Sequence, residues 1–187
     1  MSVSLIQYYR SELSKAFGRE IPLTDEALAN SLIAGNMLQH GELTFKDLLP
    51  NAEKYAELFY ALAYDCYQKN QFEKAHKFFT LLVTYDPKTA KYLKGWGATS
   101  ELLKKHEEAM VAYFTLATVE PTELSHMLHL AKAFYKLNRP EEAVHCLEGI
   151  EKLSKDKLFQ SDRPEFKTCV KQAAAFRQFL TKHHKKS

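Results

Sequence analysis

Apolar residues in the stretch 59–72 return every three or four positions. Phe59, Leu62, Ala63 and Cys66 make one helical stripe, at i, i+3, i+4 and i+7. Tyr60, Tyr64 and Tyr67 make a second stripe, about 120° around the same cylinder at ~100° per residue. A helix resting on one core needs one buried stripe, so the tyrosine face needs a partner of its own. Helical spacing continues outside this stretch. Ile6, Tyr9, Leu13, Ala16 and Phe17 form a stripe ending at Gly18. A second helix is predicted from a Thr24 cap, with Asp25 and Glu26 in its first turn, to Gly41. "LTFKDLLPN" reads as a connector whose Asn51 caps the next helix, and Pro164 opens a last helix with Phe166, Cys169, Val170, Ala173, Phe176 and Leu180 on one side. Strand-like alternation is absent from the sequence, which predicts an all-α fold.

The helical pattern repeats. Residues 56–87 align with 90–121 at a constant offset of 34: Ala56 on Ala90, Phe59 on Leu93, Leu62 on Trp96, Ala63 on Gly97, Ala75 on Ala109, Phe79 on Tyr113 and Pro87 on Pro121. A third copy, 124–155, carries Met127, Leu130, Ala131, Phe134, Ala143 and Leu147 in register, with Lys155 where the closing proline would stand. This is the period of the tetratricopeptide repeat, a helical hairpin that stacks on its neighbours. Small residues, Ala63 with Ala75, Gly97 with Ala109 and Ala131 with Ala143, let the two helices of each hairpin approach. Asn70 and Asn138 suit left-handed turns after a helix. Pro140 fits a first helical turn, and Pro87 and Pro121 stop the second helices. The expected architecture is a tetratricopeptide-repeat superhelix of three hairpins over 51–155 (about 56–87, 90–121 and 124–155). A helical extension, 1–50, precedes it; a capping helix and basic tail, 156–187, complete the chain.

Charge and chemistry narrow the function. The formal charge of +3 is too small, and its cations too scattered among the aromatics, to argue for nucleic acid. The terminal "KHHKKS" reads as a solvated tail. Cys66, Cys146 and Cys169 are odd in number and lack CxxC spacing, which predicts buried free thiols in a reducing compartment. Neither a signal-like leader nor an apolar run of membrane length is present in the sequence, so a soluble cytoplasmic protein is expected. Eight histidines include His126 with His129 and His183 with His184, yet none has a third ligand at metal spacing, and they read as solvated or turn-capping. With no phosphate-loop, dinucleotide or nucleophile-elbow motif either, neither metal, cofactor nor catalysis is expected.

The repeat geometry gives the tyrosines a place. First helices of such hairpins line the concave side of the superhelix. Tyr60, Tyr64 and Tyr67 then point into the hollow, beside Lys94, Ala98 and Glu101 of the second repeat and Leu128, Lys132 and Tyr135 of the third. Two readings are open. Either the N-terminal helices cover the tyrosines as ordinary core, or the face is a groove for an extended peptide. Rigid aromatic walls with polar tips give contact area at low ordering cost, and the small Ala98 leaves room for an apolar anchor.

"YALAYDCYQKNQFEKAHKFFTLLVTYDP" followed by "YLKGWGA", with "HGELTFKDLLP" upstream, resembles the class II chaperones of bacterial type III secretion, which hold translocator proteins. The similarity covers roughly residues 30–145, and the doubled aromatics in "AYDCYQ" and "LVTYDP" go beyond general repeat consensus. It implies a three-repeat array and an N-terminal extension often used for dimerisation. Here that extension offers Ile6, Tyr9, Leu13 and Phe17 for a homodimer. It also implies a concave groove taking a short proline- and leucine-containing client segment at Tyr60, Tyr64, Tyr67, Lys94, Ala98 and Glu101. Tyr64 departs from the phenylalanine common in the family. On this reading the chain keeps hydrophobic, membrane-inserting translocators soluble and secretion-competent in the bacterial cytoplasm. The rivals are a tetratricopeptide adaptor gripping a C-terminal carboxylate, which wants lysine and asparagine where Tyr60 and Tyr64 stand, and a scaffold using its convex face.

Overall fold

The computed structural model describes Lys46, residues 53–157, Phe159 and residues 162–184. The chain divides into two units, Met1–Pro50 and Asn51–Ser187, and the helices below all belong to the second. The expected N-terminal helices, with Ile6, Tyr9, Leu13 and Phe17, lie outside the described residues, as does Asn51. Among the described residues the regular elements are seven helices: α1 (Glu53–Gln68), α2 (Phe72–Tyr85), α3 (Ala90–Leu102), α4 (His106–Val119), α5 (Ser125–Lys136), α6 (Pro140–Leu153) and α7 (Pro164–His184). They pack as hairpins α1–α2, α3–α4 and α5–α6, each stacked on the next, and α7 closes the series against α6 and α5. The all-α repeat superhelix read from the sequence is the observed fold.

The 34-residue period is written into the backbone. Asn70, Lys104 and Asn138 have φ of 56°, 59° and 58°. In each case the following amide reaches back five residues at 2.9 Å, Gln71 to Cys66, Lys105 to Ser100 and Arg139 to Phe134. The left-handed residue itself bonds three residues back, at 3.0 Å from Asn70 to Tyr67 and 3.1 Å for the other two. These are Schellman turns, which satisfy the last carbonyls of a helix before the chain reverses. Lys104 occupies a position at which a side chain with Cβ is disfavoured. Pro140 opens α6, and α2 and α4 end at Tyr85 and Val119, just ahead of Pro87 and Pro121.

Packing depends on the small residues. Ala63, Ala75, Gly97, Ala109, Ala131 and Ala143 are all buried. A Cβ at Gly97 would lie 3.0 Å from the Tyr113 ring and 3.3 Å from Ala112, so these two, rather than Ala109, press closest on it. Around them Leu82, Leu93, Leu116, Leu124, Leu147 and Ile150 lose nearly all contact with solvent. Each such side chain stabilises the fold by about 1.5–3 kcal/mol. Trp96 packs against both the first-hairpin core and the larger core of the remaining repeats, joining them. Leu62 departs from its expected core stripe: it is 40% exposed, with Tyr55 and Leu58 also exposed on the same flank of α1. Within this unit α1 packs chiefly on α2 and more lightly on α3, and neither contact covers that flank. The three cysteines are free thiols; Cys146 and Cys169 are buried and Cys66 is half-buried. Burial pushes the Cys146 thiol up to about 11, leaving it inert at neutral pH.

Candidate peptide-binding groove

The concave face is built by α1, α3 and α5, with α7 along its far end. Its first compartment is a cleft of about 260 Å³ lined by Tyr60, Tyr64, Tyr67, Phe79, Lys91, Lys94, Gly95 and Ala98. Tyr60 holds the wall together: its ring stacks on Tyr64 at 6.5 Å, meets Phe79 edge-on at 6.1 Å and lies 5.9 Å from Tyr92. Lys91 Nζ sits 4.9 Å over the same ring and pairs with Glu57 at 2.6 Å, one repeat length away. Tyr67 meets Phe72 edge-on at 5.7 Å. Tyr64 closes the row with half its surface (50%) in solvent. Gly95 lets α3 ride directly against Phe79, because a Cβ there would overlap the ring. The floor is therefore backbone and Ala98, and the walls are phenol.

A second hollow of about 800 Å³ shares Tyr67, Lys94 and Ala98 with the first, so the two adjoin. Its far side is polar. Tyr113 donates its hydroxyl to Glu101 at 3.0 Å, and His129 Nδ1 stands 3.4 Å from the other carboxylate oxygen. The His129 ring stacks on Tyr113 at 4.8 Å. Burial alone would raise the Glu101 pKa. The hydrogen bond and charge of His129, the Tyr113 hydroxyl and the nearby Lys132 outweigh it and hold the carboxyl below its ordinary value. Burial, with the Glu101 carboxylate beside it, pushes the Tyr113 phenol far above its ordinary range. Lys94 Nζ and His126 Nε2 both meet Glu120 at 2.8 Å, and Lys94 and then His126 hold that carboxyl low. Arg163 reaches Glu123 at 3.5 Å across the mouth.

The third compartment, about 720 Å³, includes Glu101, Leu128, Lys132 and Tyr135 in its lining, with Ala175 and Phe176 from α7. All nine residues expected on the concave face thus line one of three adjoining hollows. Leu128, at 3% exposure, forms the floor of the third hollow and is packed into the core beneath it. Sequence reasoning placed His126 and His129 in solvent or at turns. Instead His126 is buried against Glu120, and His129 is stacked in the groove. It also missed Tyr113, Phe79 and the α7 wall. Spacing could have found Tyr113 and Phe79, which share one repeat position. The histidine partners come from residues 6 and 28 positions away and left no local signal. Among the described residues no group of three or more His, Cys, Asp or Glu could hold a metal ion, and no helix is long and apolar enough to cross a membrane.

Fold and groove together define a tetratricopeptide-repeat fold with an aromatic face, and a tetratricopeptide-repeat family model matches residues 58–88. The chain is 29% identical over 111 residues to the low calcium response locus protein H of Yersinia pseudotuberculosis serotype I (strain IP32953), covering 59% of this chain and 62% of the relative. It therefore spans less than two thirds of that curated relative. Its structure superposes on a chain of a type III secretion complex from Aeromonas hydrophila, with a TM-score of 0.67, 21% identity and coverage of 83% of this chain and 99% of the other. It also superposes on the Yersinia enterocolitica type III secretion chaperone SycD, solved with a peptide of the translocator YopD. There the TM-score is 0.59 at 22% identity, over 70% and 95% of the two chains. The resemblance read from the motifs is borne out: the structural neighbours include the type III secretion translocator chaperone SycD.

Proposed function

We propose that this chain is a type III secretion translocator chaperone of the bacterial cytoplasm, which holds an extended segment of its client on the concave face. The observation that carries the reading is the tyrosine wall: Tyr60, Tyr64 and Tyr67 surround a cleft with a Gly95 and Ala98 floor, and Tyr64 keeps half its surface in water. A core face would be covered; a binding face has amphipathic rings that offer area and hydrogen-bonding tips. SycD, of the same fold, has been solved with a translocator peptide, which supports the same kind of partner here. The carboxylate-clamp adaptor is disfavoured, because phenols stand where its lysine and asparagine are needed. The role is binding rather than catalysis, and the client is kept soluble by mass action on its bound state. The N-terminal residues Ile6, Tyr9, Leu13 and Phe17 are proposed as the homodimer contact. The test is co-expression with a hydrophobic translocator subunit of the same secretion system. The subunit should appear in the soluble fraction and co-purify only when this chain is present. A subunit equally soluble without it would overturn the proposal.

A further inference from the structure

The groove has two ends of different chemistry. At the first-repeat end the walls are tyrosines. At the other end α7 lies along the third repeat, and its Phe176 meets Tyr135 edge-on at 5.6 Å while stacking on Phe179 at 6.5 Å. With Leu128 as floor this makes an apolar cleft of about 720 Å³. Its rim is cationic. Lys132 and Lys136, one turn apart on α5, both line it, and neither makes an ion pair among the described residues. Its lining carboxylate, Glu101, has its oxygens engaged by Tyr113 and by His129, with Lys132 near enough for its charge to act on the same carboxyl. The central hollow is the opposite: Glu101, Glu123 and Glu165 line it against Lys94 and Arg163, with Lys94 already on Glu120.

Resting on the reading that the concave face holds an extended client segment, we infer that the α5–α7 cleft is a second anchor site, taking an apolar client side chain flanked by aspartate or glutamate. The cleft adjoins the central hollow at Glu101, which lines both, and the central hollow in turn shares Tyr67, Lys94 and Ala98 with the tyrosine cleft. An anchor seated on Leu128, Tyr135 and Phe176 brings its flanking residues to the two ammonium groups, where carboxylates gain and lysines are repelled. The groove thereby reads direction: the tyrosine end selects by shape, and the α7 end selects by shape and charge.

The test uses the full chain and two short fluorescein-labelled peptides, each with a central leucine, flanked in one by aspartates and in the other by lysines. Fluorescence anisotropy should show the acidic peptide binding about tenfold tighter or more. The double variant Lys132→Glu/Lys136→Glu should reverse that preference. Ala175→Trp, which fills the cleft from an exposed helix position, should weaken the acidic peptide roughly tenfold with circular dichroism unchanged. Equal binding of the two peptides by the unaltered chain, or no measurable binding of the acidic one, overturns the inference. So does an acidic-peptide affinity untouched by both the charge reversal and Ala175→Trp. Co-purification of a translocator with Tyr64→Ala separates the two ideas. Its loss alongside insensitivity to Ala175→Trp removes this cleft and keeps the groove. Its retention alongside sensitivity to Ala175→Trp keeps the cleft and removes the tyrosine wall.

Discussion

Gly95 gives the sharpest stability test, because two large effects oppose each other there. An alanine at an ordinary helix position stabilises by about 1 kcal/mol relative to glycine. At Gly95, however, the added methyl would overlap the ring carbons of Phe79, a side chain only 2% exposed and held edge-on by Tyr60 at 6.1 Å. An aromatic ring so enclosed cannot rotate away, and overpacking of this kind costs about 1–3 kcal/mol, with the worst overlaps at the upper end. The net expectation for Gly95→Ala is a loss of about 1–2 kcal/mol. In a chain of this size that lowers the melting temperature by roughly 2–8 °C, at about 2–4 °C per kcal/mol. Gly97→Ala is the control: its nearest neighbours would stand 3.0–3.3 Å from the new Cβ, so a few tenths of an ångström of adjustment suffices. Helix propensity then nearly cancels the crowding, and the variant should melt within about 2 °C of the unaltered protein. Thermal melts followed by circular dichroism decide it. A Gly95→Ala variant as stable as Gly97→Ala, or more so, would refute the close approach of α3 to Phe79 and the floor of the first compartment with it.

The same structure sets other outcomes. Lys104→Gly should raise stability by about 1 kcal/mol, read in urea unfolding, since it relieves a left-handed lysine at φ 59°; no gain would contradict the Schellman assignment. His76 is buried, 2.8 Å from Glu108, and burial followed by the charge of Lys105 lowers its pKa below 6.5 despite that carboxylate. The unfolded chain therefore binds the proton first, so the stability due to His76 is present above pH 6.5 and is lost as pH falls from there through the lowered value. His76→Gln should flatten the melting temperature across that acid limb, and an unchanged slope would contradict the reading. Deleting residues 1–20 should convert a dimer into a monomer by light scattering, and a full-length monomer at tens of micromolar (about the range of weak dimers) would remove the N-terminal contact.

Much of the fold is legible because stacking imposes one period on residues that do not touch. Ala63, Gly97 and Ala131 are small for the same reason, and the buried set confirms them. The left-handed turns were legible at Asn70 and Asn138, whose side chains tolerate that conformation, but not at Lys104, which only the neighbouring repeats betray. Leu62 misled because a helical stripe says which residues share a face, not whether another element covers that face. The tyrosine row was visible as a surplus stripe. The polar half of the groove was not, since Glu101 finds Tyr113 and His129 at separations of 12 and 28 residues and no helical periodicity links them. The α7 wall was equally hidden: its apolar face signalled a cap over the last repeat, while the placement of Phe176 against Tyr135 depends on the docking angle.

The central claim is that the tyrosine face binds, rather than buries. Its most direct measurement is a fluorescence titration of a proline- and leucine-containing translocator segment against the unaltered chain and Tyr64→Ala. Half of Tyr64 is in solvent, so the variant should keep its helical circular dichroism and melt close to the parent. If Tyr64 is a hot spot, truncating it should cost about 2 kcal/mol of affinity, roughly a thirtyfold rise in Kd. A variant that binds the segment as tightly as the parent, or one that unfolds without a separate binding defect, would contradict the account.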